Sequence, residues 1–171
     1  MKKLLLFLWV LLFVACHKQP APATLSAYYW KTRFSLSAPQ QQFLSEYDVQ
    51  KLYIRYCDII LSRGEAVPDA PIELDTTALK GKEVIPVIYL KNEVFLSDKV
   101  AVALLAEKLS GYIEQINRTY NLTVKQVQLD CDWSLTSRER YFDFIKYFKA
   151  QTPYQLSATI RLHQVKYHDR T

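Results

Sequence analysis

The sequence predicts an α/β domain with the parallel strands of a (β/α)8 barrel, a TIM-barrel-like fold that stops after its fifth strand. Strand and helix patterns alternate along the chain, which is typical of a parallel sheet covered by helices. The chain holds only three glycines and no glycine-rich loop follows the first strand, which argues against a doubly wound dinucleotide-binding sheet. Polar and apolar residues alternate in the last two strands, as the lumen of a barrel requires near its rim.

Local patterns place the elements of the N-terminal half. Residues 28–34 are rich in aromatic side chains and are predicted to form the first strand. Ser37 and Pro39 are typical of a helix start, so a helix is expected next. Residues 51–61, with β-branched and aromatic side chains, are the second strand, and residues 62–79 are a long connection with at most a short helix.

The second half continues the alternation. Residues 83–90 are nearly all apolar and are predicted to be the third strand, and a long helix with an apolar stripe follows them. Residues 124–133 are the fourth strand. Thr136 and Glu139 match a capping box at the start of the next helix, and residues 154–163 are the fifth strand. A complete barrel has eight strands, so either a fragment of a longer protein or an open sheet is expected.

The first 15 residues have the layout of a secretory signal peptide. Lys2 and Lys3 precede an apolar run over residues 4–14, which is much shorter than the roughly 20 residues that a membrane-spanning helix needs. Ala15, a small residue, stands directly before Cys16. A buried core helix is the alternative, but core helices rarely begin beside two lysines at the chain start and end in small residues.

The residues Phe13-Val14-Ala15-Cys16 resemble the lipobox of bacterial lipoproteins, with Phe13 where leucine is usual. The resemblance implies that a signal peptidase removes residues 1–15 and that the thiol of Cys16 carries lipid. Residues 16–24 would then be a polar, proline-containing tether. We therefore expect a protein of the bacterial cell envelope that is bound to a membrane through Cys16.

Residues 25–171 are enough for one packed domain. The chain is 50% hydrophobic and 13% aromatic, so disorder is not expected. The formal net charge is +5, but the basic residues are scattered, which argues against nucleic acid as a partner. No motif indicates a cofactor, and none is expected.

Two further cysteines lie within the predicted domain. Cys57 is in the second strand and Cys131 is in the fourth. A third strand between them would hold them about 9 to 10 Å apart, which is too far for a disulfide. Both are predicted to be reduced and partly buried.

Asp130 and Asp132 are the candidate catalytic residues. They lie at the C-terminal end of the fourth strand, where active sites sit in this architecture. Residues i and i+2 point the same way about 6 to 7 Å apart, and glycoside hydrolysis uses such paired carboxylates. The alternative is structural: Asp130 would pair with Arg55 or Arg161, and Asp132 would cap the next helix.

Six residues are candidates for binding a substrate. Aromatic side chains near strand ends can stack on sugar rings, although aromatic residues in such positions more often serve core or rim packing. Cationic or imidazole side chains on the lumen side can orient a ligand. These candidates are Arg55, Trp30, Tyr89, Trp133, Arg161 and His163. His163 with the two aspartates is a weak metal set, so a hydrogen-bonded histidine is preferred and no metal is expected.

The chain resembles a group of uncharacterised bacterial lipoproteins with a glycoside-hydrolase-like (β/α)8 barrel. The resemblance rests on the element order, the lipobox leader, the Tyr-Ile-Arg-Tyr run at residues 53–56 and the Gln-Leu-Asp-Cys-Asp-Trp run at residues 128–133. It spans about residues 25–163, the N-terminal half of such a barrel. It implies an envelope protein with a glycosidase-like domain that acts on carbohydrate.

The fourth strand also resembles the Asp-x-Asp-x-Glu signature of family 18 chitinases. Asp130 and Asp132 stand in the aspartate positions, and Ser134 stands where the acidic glutamate belongs. The proton donor of that family is therefore missing from its usual place. Non-catalytic carbohydrate binding and an inactive, truncated relic stay open beside the enzyme hypothesis.

Overall fold

The structure is a computed structural model that describes residues 23–167, except for the side chain of residue 163. The predicted signal peptide, Cys16 and most of the predicted tether lie outside these residues, so the predictions about them stay predictions. Within residues 23–167, no helix has the length and apolar character needed to cross a membrane. The described chain is a mixed α/β fold around a mostly parallel sheet, which confirms the predicted class.

Strands and helices alternate along the described residues. Their order is β1 (Ser26–Tyr29), β2 (Arg33–Phe34), α1 (Ala38–Glu46), β3 (Lys51–Ser62), β4 (Glu65–Asp69), β5 (Glu73–Leu74), a 3-10 helix (Thr76–Leu79), β6 (Glu83–Leu90), α2 (Asn92–Leu96), α3 (Val102–Thr119), β7 (Gln126–Cys131), α4 (Arg138–Gln151), β8 (Gln155–Ala158) and α5 (Leu162–Lys166).

The main sheet keeps the order of the chain. Strands β1, β3, β6, β7 and β8 lie side by side in that order and are all parallel, and β4 pairs antiparallel with β3. The strand order does not reverse within the described residues. Because crossovers between neighbouring parallel strands are almost always right-handed, the connecting helices α1, α3 and α4 are on one face of the sheet.

The hydrophobic core lies between the sheet and these helices. Alternate strand residues point into it, and α3 contributes residues three and four positions apart, as expected of one helical face. The buried core residues include Leu52, Ile54, Ile88, Val127 and Leu129 from the strands and Leu44, Leu105, Leu109, Ile113, Phe144 and Phe148 from the helices. Cys57 and Cys131 are free and buried in this core, on β3 and β7 with β6 between them, which confirms the prediction that they do not pair.

The opposite face of the sheet is concave. The hydroxyl of Tyr28 on β1 donates to Oε1 of Gln128 on β7 at 2.9 Å, although β3 and β6 lie between these strands. Three strand spacings amount to about 14 Å on a flat sheet. Side chains stand roughly perpendicular to a sheet, so their tips meet over that span only if the sheet curves toward them. We call the face that carries Tyr28 and Gln128 the concave face.

The first predicted strand is wrong in one respect. It divides into β1, which belongs to the main sheet, and β2, which pairs with β5 in a separate two-stranded sheet. The helix start predicted next is confirmed, because the backbone N–H of Ser37 donates to Oε1 of Gln40 at 2.9 Å in a capping box.

The long connection between the second and third predicted strands holds a hairpin that the sequence analysis missed. Ser62 and Glu65 face each other across a two-residue turn. Both turn residues have positive φ, 51° at Arg63 and 85° at Gly64, as a type I′ hairpin turn requires. The pattern lacks an Asn-Gly or Asp-Gly pair, so the turn gave little sequence signal.

The fifth predicted strand is too long. Strand β8 ends at Ala158, and residue 163 lies in α5 rather than in a strand. The backbone N–H of Arg161 donates to Oε1 of Gln164 at 2.8 Å, and Gln164 is buried. This interaction begins a helical turn of the capping-box kind, which alternation of polar and apolar residues did not indicate.

Candidate functional site

Three polar side chains stand in one row across the concave face. Asp58 on β3, Tyr89 on β6 and Asp130 on β7 are register partners in neighbouring strands. All three lie near the C-terminal ends of their strands, where parallel α/β sheets bind ligands. We call Asp58, Tyr89 and Asp130 the polar row.

A β-bulge brings Asp58 into the row. The pairing of β3 with β6 shifts register between Arg55 and Cys57, and both Tyr56 and Cys57 are buried in the core. The extra residue lets Arg55 and Asp58 point to the same side, although strict alternation would separate them. Asp58 was therefore missing from the sequence-based candidates, because nothing in the alternation indicates a bulge.

Arg55 is bound to Asp58 in a bidentate ion pair. Its Nε donates to Oδ1 at 2.7 Å, its Nη2 lies 2.7 Å from Oδ2, and both side chains are largely buried. The hydrogen bond with Asp58 raises the pKa of the Arg55 guanidinium. The predicted alternative that Arg55 pairs with Asp130 is wrong, since Arg55 is paired with Asp58 on its own strand.

Asp130 takes its hydrogen bond from the neighbouring strand end. Thr159, which directly follows β8, donates its hydroxyl to Oδ1 of Asp130. The backbone N–H of Thr159 also donates to the carbonyl of Leu129 at 3.1 Å, which continues the pairing of β7 with β8. Thr159 had the correct parity in the predicted fifth strand, and this parity is the signal that could have identified it.

Asp132 directly follows β7 and makes two polar contacts. Its Oδ2 forms an ion pair with Nη2 of Arg161 and accepts a hydrogen bond from the Tyr89 hydroxyl at 3.3 Å. The Asp132 side chain is 26% exposed and that of Arg161 is 54% exposed, so both can be reached from solvent. We call Asp132, Arg161 and Tyr89 the Asp132 cluster.

The contacts of Asp132 correct the structural alternative drawn from the sequence. Arg161 pairs with Asp132 and not with Asp130. Asp132 does not cap the next helix, because α4 begins at Arg138 with Ser137 in the N-cap position. The predicted capping box of Thr136 and Glu139 is wrong for the same reason.

The electrostatics of the cluster act on Tyr89. Burial raises the pKa of the Tyr89 hydroxyl, and the negative charge and hydrogen bond of Asp132 raise it further. Tyr89 therefore stays protonated at neutral pH and donates to Asp132. The cluster offers a carboxylate acceptor beside a guanidinium donor on the concave side of two strand ends.

The predicted aromatic residues are divided between two places. Trp133 follows Asp132, is partly buried and packs edge-on against Phe142 with ring centroids 5.4 Å apart. Trp30 follows β1, which is separated from β7 by the two strands β3 and β6, and is 49% exposed. The structure therefore packs the Trp133 ring toward α4, although Trp133 directly follows Asp132, and leaves Trp30 at the far edge of the sheet. The side chain of His163 is outside the described part of the chain.

Ser134 belongs to a cluster of hydroxyl and amide groups. Its hydroxyl accepts from Nδ2 of Asn92 at 3.3 Å and lies 3.0 Å from the hydroxyl of Thr136. The hydroxyl of Ser137, which is fully buried, donates to Oδ1 of Asn92 and accepts from the backbone N–H of Ser134 at 2.9 Å. These bonds tie the start of α2, just after β6, to the loop after β7 that also contains Asp132.

No protein-family model, no curated protein and no solved structure matches this chain. Among the residues that the structure describes, no group of three or more histidine, cysteine, aspartate or glutamate side chains is placed to hold a metal ion.

Proposed function

We propose that this chain is a bacterial envelope lipoprotein, anchored by lipid on Cys16, whose domain binds carbohydrate at the C-terminal ends of its parallel strands. The observation that carries the proposal is the Asp132 cluster. Its carboxylate and guanidinium are fixed beside each other, partly exposed, on the concave face. Sites of this kind, with a few convergent polar groups at strand ends, are where α/β folds bind small ligands.

The chemistry of the cluster suits a sugar. Sugar hydroxyls both donate and accept, so they bind well where an acceptor and a donor lie side by side. Asp132 supplies the acceptor and Arg161 supplies the donor.

The strand arrangement supports a barrel-like architecture. A doubly wound sheet reverses its strand order at a switch point, whereas β1, β3, β6, β7 and β8 follow chain order throughout. The bond between Tyr28 and Gln128 requires curvature in the direction in which a barrel closes. We propose that the domain is part of a TIM-barrel-like fold, with the concave face as the side of the lumen.

Binding is favoured over cleavage by the environment of Ser134. Glycoside hydrolysis by the usual mechanism needs a carboxylic acid that protonates the leaving oxygen and a second carboxylate. Ser134, in the position of the family 18 acid, is instead bonded to Asn92 and lies in a hydroxyl cluster. A second observation keeps hydrolysis as the other candidate, because Asp130 and Asp132 stand about 6 to 7 Å apart along one strand end.

Binding is tested by titrating the full chain, purified in mild detergent, with soluble β-1,4-glucan, chitin and α-glucan oligosaccharides in a calorimeter. Asp132→Asn removes the negative charge that pairs with Arg161 and replaces one acceptor oxygen with an amide nitrogen. It is therefore expected to weaken binding by about ten-fold or more. Asp143→Asn is the matched control, because Asp143 pairs with Lys146 on the exposed side of α4. It is expected to leave the affinity unchanged.

Hydrolysis is measured on the same panel by the release of reducing ends. Release by the wild type that is lost in Asp132→Asn and kept in Asp143→Asn would replace the binding proposal with an enzyme. A wild type that binds none of the oligosaccharides, while it is folded by circular dichroism, would contradict carbohydrate as the ligand.

A further inference from the structure

Asp132 lies just outside the strand ladder that holds its partner Tyr89. The pairing of β6 with β7 ends at Leu90 and Cys131, and Asp132 is the first residue beyond it. Residues 132–137 belong to neither a strand nor a helix. Because the backbone ladder stops short of Asp132, contacts outside the ladder determine where its carboxylate lies relative to the Tyr89 hydroxyl.

The segment that follows β6 is anchored to α4. It forms α2, in which Phe95 is fully buried and packs edge-on against Tyr141 with ring centroids 5.3 Å apart. The guanidinium of Arg140 donates to the carbonyl of Phe95 at 3.1 Å and to the carbonyl of Ser97 at 2.8 Å. Asn92, the first residue of α2, is therefore carried by a well-packed element.

Ser137 gives up a helix cap in order to bind Asn92. It occupies the N-cap position of α4, where serine usually accepts from a backbone N–H of the first turn, but its side chain makes no such bond. Its fully buried hydroxyl donates to Oδ1 of Asn92 and accepts from the backbone N–H of Ser134 at 2.9 Å. A local preference that is given up in this way is typical of a functional site.

The bonds of Asn92 close a short ring of chain around the Asp132 cluster. Asn92 follows Tyr89 by three residues, and Ser134 follows Asp132 by two. Nδ2 of Asn92 donates to the hydroxyl of Ser134 at 3.3 Å, and the Tyr89 hydroxyl donates to Asp132 at 3.3 Å. Buried polar networks whose members are paired make a region rigid. A segment after β7 that moved away from Asn92 would carry Asp132 away from Tyr89.

We propose that Asn92 is the positioning residue of the Asp132 cluster, and that its amide, through Ser134 and Ser137, holds the Asp132 carboxylate against the Tyr89 hydroxyl. The proposal rests on the proposed function and deepens it, because it assigns the geometry of the carbohydrate site to a residue outside that site. Asn92 makes no hydrogen bond to Asp132 or Tyr89 within the described part of the chain. It acts on a ligand only through the place of the carboxylate.

The test follows the Tyr89 ring by nuclear magnetic resonance at pH 7. The full chain is purified in mild detergent with carbon-13 at the tyrosine carbons that bear the hydroxyls. The chain has 12 tyrosines, and the resonance that Tyr89→Phe removes is that of Tyr89. Asp132→Ala gives the position of this resonance without the carboxylate. Asn92→Ala is expected to move it toward that position, because the charged acceptor no longer lies against the hydroxyl.

Gln126→Ala is the matched control. The side-chain amide of Gln126 donates to the hydroxyl of Ser157 at 2.9 Å between neighbouring strands, at the other end of β7, so its loss is expected to leave the Tyr89 resonance in place. Ser134→Ala removes one of the two attachments to Asn92 and is expected to cause a smaller shift in the same direction. Ser134→Thr keeps the hydroxyl and is expected to give the wild-type position. If Asn92→Ala does not fold, as judged by circular dichroism, the two Ser134 variants decide.

The affinity for the oligosaccharides is the second readout. Asn92→Ala is expected to weaken it by about three- to ten-fold, which is the effect of one misplaced hydrogen bond, and Gln126→Ala is expected to leave it unchanged. A Tyr89 resonance that stays in place in Asn92→Ala, or that moves equally in Gln126→Ala, would overturn the positioning role, as would an unchanged affinity. A wild type that binds no oligosaccharide would contradict the proposed function alone, and the resonance would then decide whether Asn92 positions Asp132.

Discussion

Asn117 joins two tyrosines inside the fold. The hydroxyl of Tyr56 donates to Oδ1 of Asn117 at 3.0 Å, and Nδ2 of Asn117 lies 3.2 Å from the hydroxyl of Tyr154. Tyr56 is fully buried and Asn117 nearly so. Burial raises the pKa of the Tyr56 hydroxyl, so Tyr56 remains a donor throughout the physiological range. The network links β3, α3 and the residue directly before β8.

Asn117→Ala is expected to lower the free energy of unfolding by about 2 to 3 kcal/mol, because it leaves the buried Tyr56 hydroxyl without its acceptor and removes packed atoms. Chemical denaturation monitored by circular dichroism measures the change. Gln115→Ala, two residues away on the exposed side of α3, is the control and is expected to change the stability by less than about 0.5 kcal/mol. Equal effects of the two substitutions would contradict a role for the network.

Cys57 and Cys131 are expected to be unreactive in the folded protein. Burial is the main cause that raises the pKa of both thiols from 9.0 to about 12, so almost no thiolate forms at pH 8. A disulfide reagent that releases a coloured product when it reacts with a thiolate should label neither thiol until the protein is unfolded. Fast labelling of the native protein at pH 8 would show that the core opens around them.

The same shift makes stability depend on pH in the alkaline range. Above about pH 9 the thiols ionise in the unfolded chain but stay protonated in the folded one, so stability falls as the pH rises toward about 12. The stability advantage of the wild type over Cys57→Ala is therefore expected to shrink between these values. A difference that stays constant from pH 7 to pH 11 would contradict the assignment.

Single residues were predicted better than their partners. Strand parity and position placed Asp130 and Asp132 correctly at the end of β7, because both depend on local pattern alone. Their partners, Thr159 and Arg161, follow the end of the neighbouring strand β8. Which of the two contacts Asp130 and which contacts Asp132 depends on the strand register and on where β8 ends. One sequence does not carry that information.

At the scale of elements, strands with apolar or β-branched runs were predictable and turns were not. β6 matches its predicted bounds, since its eight residues are nearly all apolar. The hairpin of β3 and β4 was missed because Arg63 occupies a left-handed position that asparagine or glycine usually fills. The bulge that turns Asp58 toward Arg55 was missed because its cause is the packing of both Tyr56 and Cys57 into the core.

The two glycines Gly64 and Gly111 are expected to respond in opposite ways to alanine. Gly64 has φ of 85° in the hairpin turn, and a Cβ there would lie 3.1 Å from Cδ of Lys99. Gly64→Ala should cost about 1 kcal/mol or more. Gly111 lies inside α3 with no atom within 4 Å of an added Cβ, so Gly111→Ala should stabilise the fold by about 0.5 to 1 kcal/mol. Thermal unfolding of both variants measures the two signs.

At the scale of the whole molecule, the alternation of elements was enough to predict a parallel α/β sheet. Each strand pairs with the next strand of the same direction along the chain, so short crossovers alone produce the order of the main sheet. The hairpin strand β4 and the small sheet of β2 and β5 could not be predicted this way. They form between irregular segments whose pairing is determined by tertiary packing rather than by local pattern.

The position of the domain relative to the membrane follows from the predicted anchor. If Cys16 carries the lipid, residues 16–24 separate it from the domain, and an extended chain of that length spans about 30 Å. The Asp132 cluster would then act on material close to the membrane surface.

Cys16→Ser removes the thiol that the lipid is attached to, so the protein is expected to leave the membrane fraction or to remain as the uncleaved precursor. Gln19→Ser, a change in the same tether that leaves the thiol intact, should stay in the membrane fraction. Fractionation with mass spectrometry of the N-terminal peptide measures both, and a cleaved Cys16→Ser protein that stays membrane-bound would refute the anchor.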